Sequence, residues 1–165
     1  MSASEKILSL TVNGEPKRLL VKTHWMLSRV LREEIHHTGT KEACGEGACG
    51  ACTVLMGEKA VLACMTLALE AEGKSVETIE GLMSAKNPHP IQEAWMEEFG
   101  AQCGFCSPGM IMSAKALLLR NPDPTLGEVR EAMAGNICVC SNYEHIEAAV
   151  LSAARKMRED GAQNG

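Results

Sequence analysis

A chain of 165 residues provides for one ordinary domain or two small ones and excludes a complete multi-cofactor enzyme. Asp and Glu number 21 against 16 Lys and Arg, and the formal net charge of −5 repels phosphate backbones; two Trp, one Tyr and two Phe are too few for the stacking platform of a single-strand binder, so no nucleic acid is expected as a partner. The apolar share of 45% supports a buried core, yet the longest stretch free of charged side chains, Phe99–Ala114, falls short of the ~20 apolar residues of a bilayer span, so no membrane span is expected.

Ile7–Val12 ends at Asn13-Gly14, a strong hairpin signal, and Arg18–Val21 returns as a second strand. That apolar run stops too early for a signal peptide, so a cytoplasmic location is expected. Met26, Leu27, Val30, Leu31 and Ile35 follow helical spacing until Gly39. After the loop Cys44–Cys52, Thr53–Met56 and Ala60–Leu62 predict a second hairpin across Gly57-Glu58, and Ser75–Ile79 one more strand. A small mixed sheet crossed by one helix is the assembly these elements favour.

Asn87-Pro88-His89-Pro90 breaks any regular element, and no strand signal follows it. The domains are therefore set at residues 1–82 and 83–165. The second half reads as four helices near Ile91–Phe99, Pro108–Leu119, Leu126–Ala134 and His145–Arg158, with a disordered tail from Glu159 to Gly165. Ser107 is expected to cap the second of these ahead of Pro108, and Thr125 with Glu128 to form a capping box on the third. A helix, a cysteine pair and a second helix occur twice here, which would gather four thiols at helix N-termini, where backbone amides favour negative charge.

Seven of the eight cysteines, all but Cys64, lie at short spacings, which in a reducing compartment points to metal or redox chemistry rather than bridges. Cys44, Cys49 and Cys52 form C-x4-C-x2-C with Cys64 trailing, the spacing of a plant-type [2Fe–2S] site. Small residues and glycines between them, Gly45-Glu46-Gly47-Ala48 and Gly50-Ala51, let one loop wrap two irons. Zinc sites with four cysteines generally use two short knuckles, whereas here three ligands share one loop. Cys103-x2-Cys106 with Cys138-x-Cys140 is less diagnostic: by spacing alone it could hold two irons or zinc, or Cys103 and Cys106 could form a thiol–disulfide couple.

Three ordered motifs carry a resemblance: Cys44-Gly45-Glu46-Gly47-Ala48-Cys49-Gly50-Ala51-Cys52-Thr53-Val54, Gln102-Cys103-Gly104-Phe105-Cys106-Ser107-Pro108-Gly109-Met110, and Gly135-Asn136-Ile137-Cys138-Val139-Cys140. Spanning nearly the whole chain, they resemble the iron–sulfur subunit of the molybdenum hydroxylases, the xanthine oxidase family. The resemblance implies an α+β protein: a plant-type ferredoxin-like β-grasp domain, then an all-α four-helix domain. It implies two [2Fe–2S] clusters, one on Cys44, Cys49, Cys52 and Cys64 and one on Cys103, Cys106, Cys138 and Cys140. Gln102 and Cys140 match positions that touch the pterin of a molybdopterin cofactor, a cytosine dinucleotide form among them, held by a large partner subunit. An FAD-binding medium subunit is the further partner implied. The substrate is not encoded, since purines, N-heterocycles, aldehydes, carbon monoxide and aromatic acyl-CoA thioesters are all served by similar small subunits.

The chain departs from that pattern at Val139, where Arg is common, and at Ser141-Asn142, where Thr-Gly is common. Asn142 is expected to take the left-handed backbone of the glycine and Ser141 to keep a hydroxyl near the next helix. Loss of a positive charge at Val139 disfavours the reduced, more negative cluster and is expected to lower its potential. By default Gln102 is a polar residue at a helix end; His24, His36, His37, His89 and His145 are read as structural or surface, and Met110, Met112, Met133 and Met157 as core. No catalytic triad, paired carboxylates or phosphate loop is present. The expected role is electron relay between a molybdopterin subunit and a flavin subunit or external acceptor, with a free-standing two-cluster carrier or a zinc-binding adaptor as the alternatives.

Overall fold

Asn13 and Gly14 both take the left-handed backbone region, with φ of 51° and 82°. That two-residue turn folds Glu5–Val12 (β1) directly back as Glu15–Lys22 (β2) in antiparallel register, Val12 opposite Glu15. The computed structural model describes residues 4–83 and 87–163. Thr53–Met56 (β3) and Lys59–Leu62 (β4) form the second hairpin, and Ser75–Glu77 (β5) enters between the two, parallel to β1 and antiparallel to β3. The mixed sheet has the order β2-β1-β5-β3-β4. Leu27–Arg29 (α1) runs into a wider π-type turn, Val30–Glu34, and its Leu27, Val30 and Leu31 pack with Leu8, Val54 and Val76 of the sheet.

Four further α-helices follow among the described residues: Pro90–Glu97 (α2), Ser107–Arg120 (α3), Leu126–Met133 (α4) and Tyr143–Gln163 (α5). Their shared core includes Ile91, Trp95, Met110, Val129, Ile146 and Val150. The fold is α+β. The two halves are packed on each other, since α3 lies against β3 and β4, Leu55 of β3 joins the helical core, and Lys115 pairs with Glu77 at 2.6 Å. The expected division after residue 82 falls beside residues 84–86, which lie outside the described residues.

Three sequence expectations are corrected. The N-cap of α3 is Cys106, not Ser107; the Ser107 hydroxyl, already inside the helix, instead accepts from Trp95 Nε1 at 3.2 Å. Ser141, with φ of 56°, takes the left-handed backbone expected of Asn142. The helix α5 continues through Gln163, so Glu159–Gln163 is helical rather than a disordered tail; Asn164 and Gly165 lie outside the described residues. Its apolar stripe through Ala149 and Ala153 packs in the helical core, and ion pairs Lys156–Glu97 and Arg158–Asp123, each 2.7 Å, hold its outer turns down.

The capping box on α4 is present: Thr125 N–H donates to Glu128 at 2.7 Å, and Glu128 N–H donates to the Thr125 hydroxyl at 3.3 Å. A second box, not foreseen, opens α2: Ile91 N–H donates to His89 Nδ1 at 3.2 Å, and His89 N–H to Gln92 Oε1 at 3.0 Å. Only neutral imidazole can accept there. Burial first, then the Lys115 charge, push the His89 pKa down, while the Glu77 carboxylate opposes them. With the folded value below the unfolded one of about 6.5, the advantage is complete above that pH and is lost as pH falls toward the folded value. Replacing the titrating cap by His89→Asn is therefore expected to flatten the pH dependence of stability between about pH 7.5 and 5.5. Denaturant melts at both ends of that range check it, and an unchanged slope would contradict the assignment.

Candidate metal centres

The loop between the π-type turn and β3 bends around its own cysteines because Gly45, Gly47 and Gly50 take φ of 67°, 78° and 70°, which side chains disfavour. Cys44 receives the backbone N–H groups of Glu46, Cys49 and Ala48 and a hydrogen bond with the Cys49 thiol; led by the Glu46 amide, these lower its pKa to about 6. Cys52 opens β3, Cys64 follows β4, and both are buried. Their thiols hydrogen-bond to one another, and burial above all pushes Cys52 up to about 11, with the Cys49 charge adding to the rise. Four thiols thus form two adjacent pairs, Cys44 with Cys49 and Cys52 with Cys64.

The helical half repeats the plan with different elements. Cys106 caps α3, Cys103 precedes it across Gly104 with φ of 80°, and Cys138 and Cys140 lie in the turn between α4 and α5. The Phe105 backbone N–H, then the Cys140 thiol, lower the pKa of exposed Cys103. Burial, then the hydrogen bond and charge of Cys138, push Cys106 up to about 12. Cys140 receives the Cys103 backbone N–H, which lowers it, but the Cys103 thiol, burial and the nearby Cys103 and Cys138 charges outweigh that and leave it raised. The pairs here are Cys103 with Cys140 and Cys106 with Cys138.

Among the described residues no three His, Cys, Asp or Glu side chains converge closely enough to chelate one ion. Thiols arranged as two pairs per site suit two irons with two thiolates each, and soft sulfur donors with backbone N–H groups aimed at them are the donor set such a group needs. Binding there would displace the protons of the buried thiols.

The two loops are joined by backbone and one buried side chain. The Cys49 carbonyl accepts from Ile137 N–H at 2.9 Å, one residue before Cys138. Asn136 donates from Nδ2 to the Gly50 carbonyl at 2.9 Å and accepts from the Ser113 hydroxyl at 2.8 Å. The approach is close enough that a Cβ on Gly50 would strike the Gly135 carbonyl and lie 2.6 Å from Asn136 Nδ2, while a Cβ on Gly109 would strike the Gly50 carbonyl. The sequence marked these glycines only as parts of motifs; Asn136, between Gly135 and a cysteine, was the one polar residue that could have signalled the seam.

Gln102 lies exposed beside Cys103 and donates from Nε2 to Asn142 Oδ1 at 3.3 Å. Asn142, buried, donates in turn to the Phe99 carbonyl at 2.8 Å. Val139 is 92% exposed, and Phe99 and Phe105 are exposed as well. His36 stands at a turn with φ of 66°, away from any such grouping, and His37 Nδ1 lies 3.2 Å from Asn13 Nδ2.

Comparison with known families agrees with this arrangement. Residues 10–78 match the family described as 2Fe-2S iron-sulfur cluster binding domain, and residues 78–151 the family described as [2Fe-2S] binding domain. The chain is 42% identical to the nicotinate dehydrogenase small FeS subunit of Eubacterium barkeri, over 90% of this chain and 95% of that one. It superposes on a chain of quinoline 2-oxidoreductase from Pseudomonas putida with a TM-score of 0.90 at 39% identity, covering 94% of this chain and 97% of that one. The aldehyde oxidoreductase of Desulfovibrio desulfuricans matches with the same TM-score at 43% identity, where 93% of this chain covers 17% of a longer one.

Two [2Fe–2S]-binding domains in tandem define an iron–sulfur component of an oxidoreductase. The chain belongs to the iron–sulfur subunits of the molybdenum hydroxylases, the xanthine oxidase family, and is the non-catalytic subunit of such an enzyme. No helix among the described residues is long and apolar enough to cross a membrane.

Proposed function

We propose that this chain relays electrons between a molybdopterin-containing large subunit and an FAD-binding medium subunit or an external acceptor, in the cytoplasm. Residues 1–82 form the ferredoxin-like β-grasp domain and hold one [2Fe–2S] cluster on Cys44, Cys49, Cys52 and Cys64. Residues 83–165 form the four-helix domain and hold the other on Cys103, Cys106, Cys138 and Cys140. Each cluster, when bound, supplies a one-electron redox centre.

The observation that carries this reading is the contact between the two cysteine loops. A single hydrogen bond, Ile137 N–H to the Cys49 carbonyl, connects a residue of the first thiol set to the neighbour of Cys138 in the second. Around it the two loops are closely packed: Gly50 and Gly109 let backbones meet, and buried Asn136 bonds across the seam to the Gly50 carbonyl. The backbone N–H groups at Cys44 and Cys103 offset negative charge on sulfur, which sets potential without ligating metal.

Exposed Cys103 and Gln102 mark the edge that meets the large subunit, with Gln102 and Cys140 as contacts to its molybdopterin. Phe99, Phe105 and Val139 give that edge an apolar rim. The Desulfovibrio relative supports assembly with a larger partner, because there the equivalent segment is part of one long polypeptide.

In the assembled complex, Gln102→Ala is expected to slow reduction of the helical-domain cluster by substrate several-fold without bleaching either cluster, since one positioned hydrogen bond is worth ~0.5–1.5 kcal/mol. Rapid mixing with optical detection reads that rate. An unchanged rate would reject Gln102 as a cofactor contact, and purification of the intact chain with no large subunit would favour the free-standing carrier.

A further inference from the structure

Gln102 rests on a neighbour whose own orientation is forced. The Phe99 backbone carbonyl can only accept a hydrogen bond, so Asn142 must present Nδ2 to it, at 2.8 Å. Asn142 then turns Oδ1 toward Gln102, and Gln102 must answer with its Nε2 donor, at 3.3 Å. Two amides in series, anchored on one carbonyl, therefore fix which way round the Gln102 carboxamide stands.

The anchor itself is stiff. Phe99 ends α2 in the left-handed region, φ 55°, and Gly100 N–H closes that turn on the Trp95 carbonyl at 2.8 Å. Asn142 is 5% exposed and its carbonyl accepts Ile146 N–H at 3.1 Å in the first turn of α5. An exposed glutamine in the loop between α2 and α3 is thus tied to the end of one helix and the start of another. Glycine, common at this position in the pattern the chain resembles, has no side chain to make the tie.

We propose that Asn142 is a positioning residue for Gln102. By engaging one Gln102 N–H it fixes the Oε1 and the second N–H as the groups left to the exposed side, and the partner that Oε1 takes there is an N–H donor, a ring imide or exocyclic amine of a pterin-type heterocycle. This rests on the reading that Gln102 contacts the cofactor of the large subunit.

The test measures binding of the full chain to the large subunit, once carrying molybdopterin and once without it. Gln102→Ala and Asn142→Ala are each expected to weaken binding to the loaded subunit about two- to tenfold and to leave binding to the cofactor-free subunit at the parent value. The double variant is expected to bind like Gln102→Ala alone. Asn142→Gly, which also removes the tie and is well tolerated at a helix start, is expected to weaken binding to the loaded subunit as Asn142→Ala does, and it carries the test where Asn142→Ala weakens the start of α5. Parent-like binding by Asn142→Ala or Asn142→Gly beside a weakened Gln102→Ala would overturn the proposal, as would equal losses against both forms of the subunit. No effect of Gln102→Ala would remove the reading beneath the proposal and the proposal with it.

Discussion

Cys103→Ser is expected to abolish the helical-domain [2Fe–2S] signal while the sheet-domain signal persists at full intensity. The thiol pairs divide by domain: Cys103 pairs with Cys140 and Cys106 with Cys138, while Cys44 pairs with Cys49 and Cys52 with Cys64. Serine keeps the volume but is a poor soft-metal donor, so the effect is loss of a centre rather than a graded weakening. Electron paramagnetic resonance of the reduced variant reads both centres at once. Loss of both signals from a still-folded chain would show that the ligands are wrongly divided.

Gly50→Ala is expected to cost about 3 kcal/mol of stability, a large share of the ~5–15 kcal/mol that holds a typical domain folded. Two costs combine at this position. The backbone φ of 70° is unfavourable for alanine, and the new methyl group would meet the Gly135 carbonyl and Asn136 Nδ2, groups that cannot move without breaking the Asn136 hydrogen bonds at the seam. Gly57→Ala is the control, since Gly57 has φ of 63° but nothing within 4 Å of a Cβ. It carries the backbone cost alone. Stabilities from denaturant melts of the two variants should differ by about 1–2 kcal/mol, since Gly57→Ala loses only the backbone cost of roughly 1–2 kcal/mol. Equal losses would mean that the seam is not tightly packed.

Much of the fold was legible because the residues that announce it act locally. Asn13-Gly14 admits the left-handed turn, Thr125 and Glu128 satisfy each other across one helical turn, and the cysteines advertise themselves by spacing. The misjudged features depend on partners remote in sequence. Ser107 looked like a cap until Trp95, on another helix, took its hydroxyl, leaving Cys106 at the helix start. Asn142 was judged by what its backbone could do, whereas Phe99 and Gln102 recruit its side chain and Ser141 takes the strained angle. Charged Glu159–Gln163 reads as a tail, yet α5 is already docked and paired through Lys156 and Arg158 as it enters that stretch. The seam at Gly50, Gly109 and Asn136 exists only once both halves have met, so no local pattern could display it.

The central claim is that one chain holds two separate two-iron centres, one wrapped by a loop of the sheet and one set between helix ends. Their amide contacts and exposure differ, so their spectra must differ as well. Metal analysis combined with electron paramagnetic resonance of the reduced chain tests this most directly. About four irons per chain with two distinguishable [2Fe–2S] signals is the predicted result; a single signal, or stoichiometric zinc in place of iron, would contradict it.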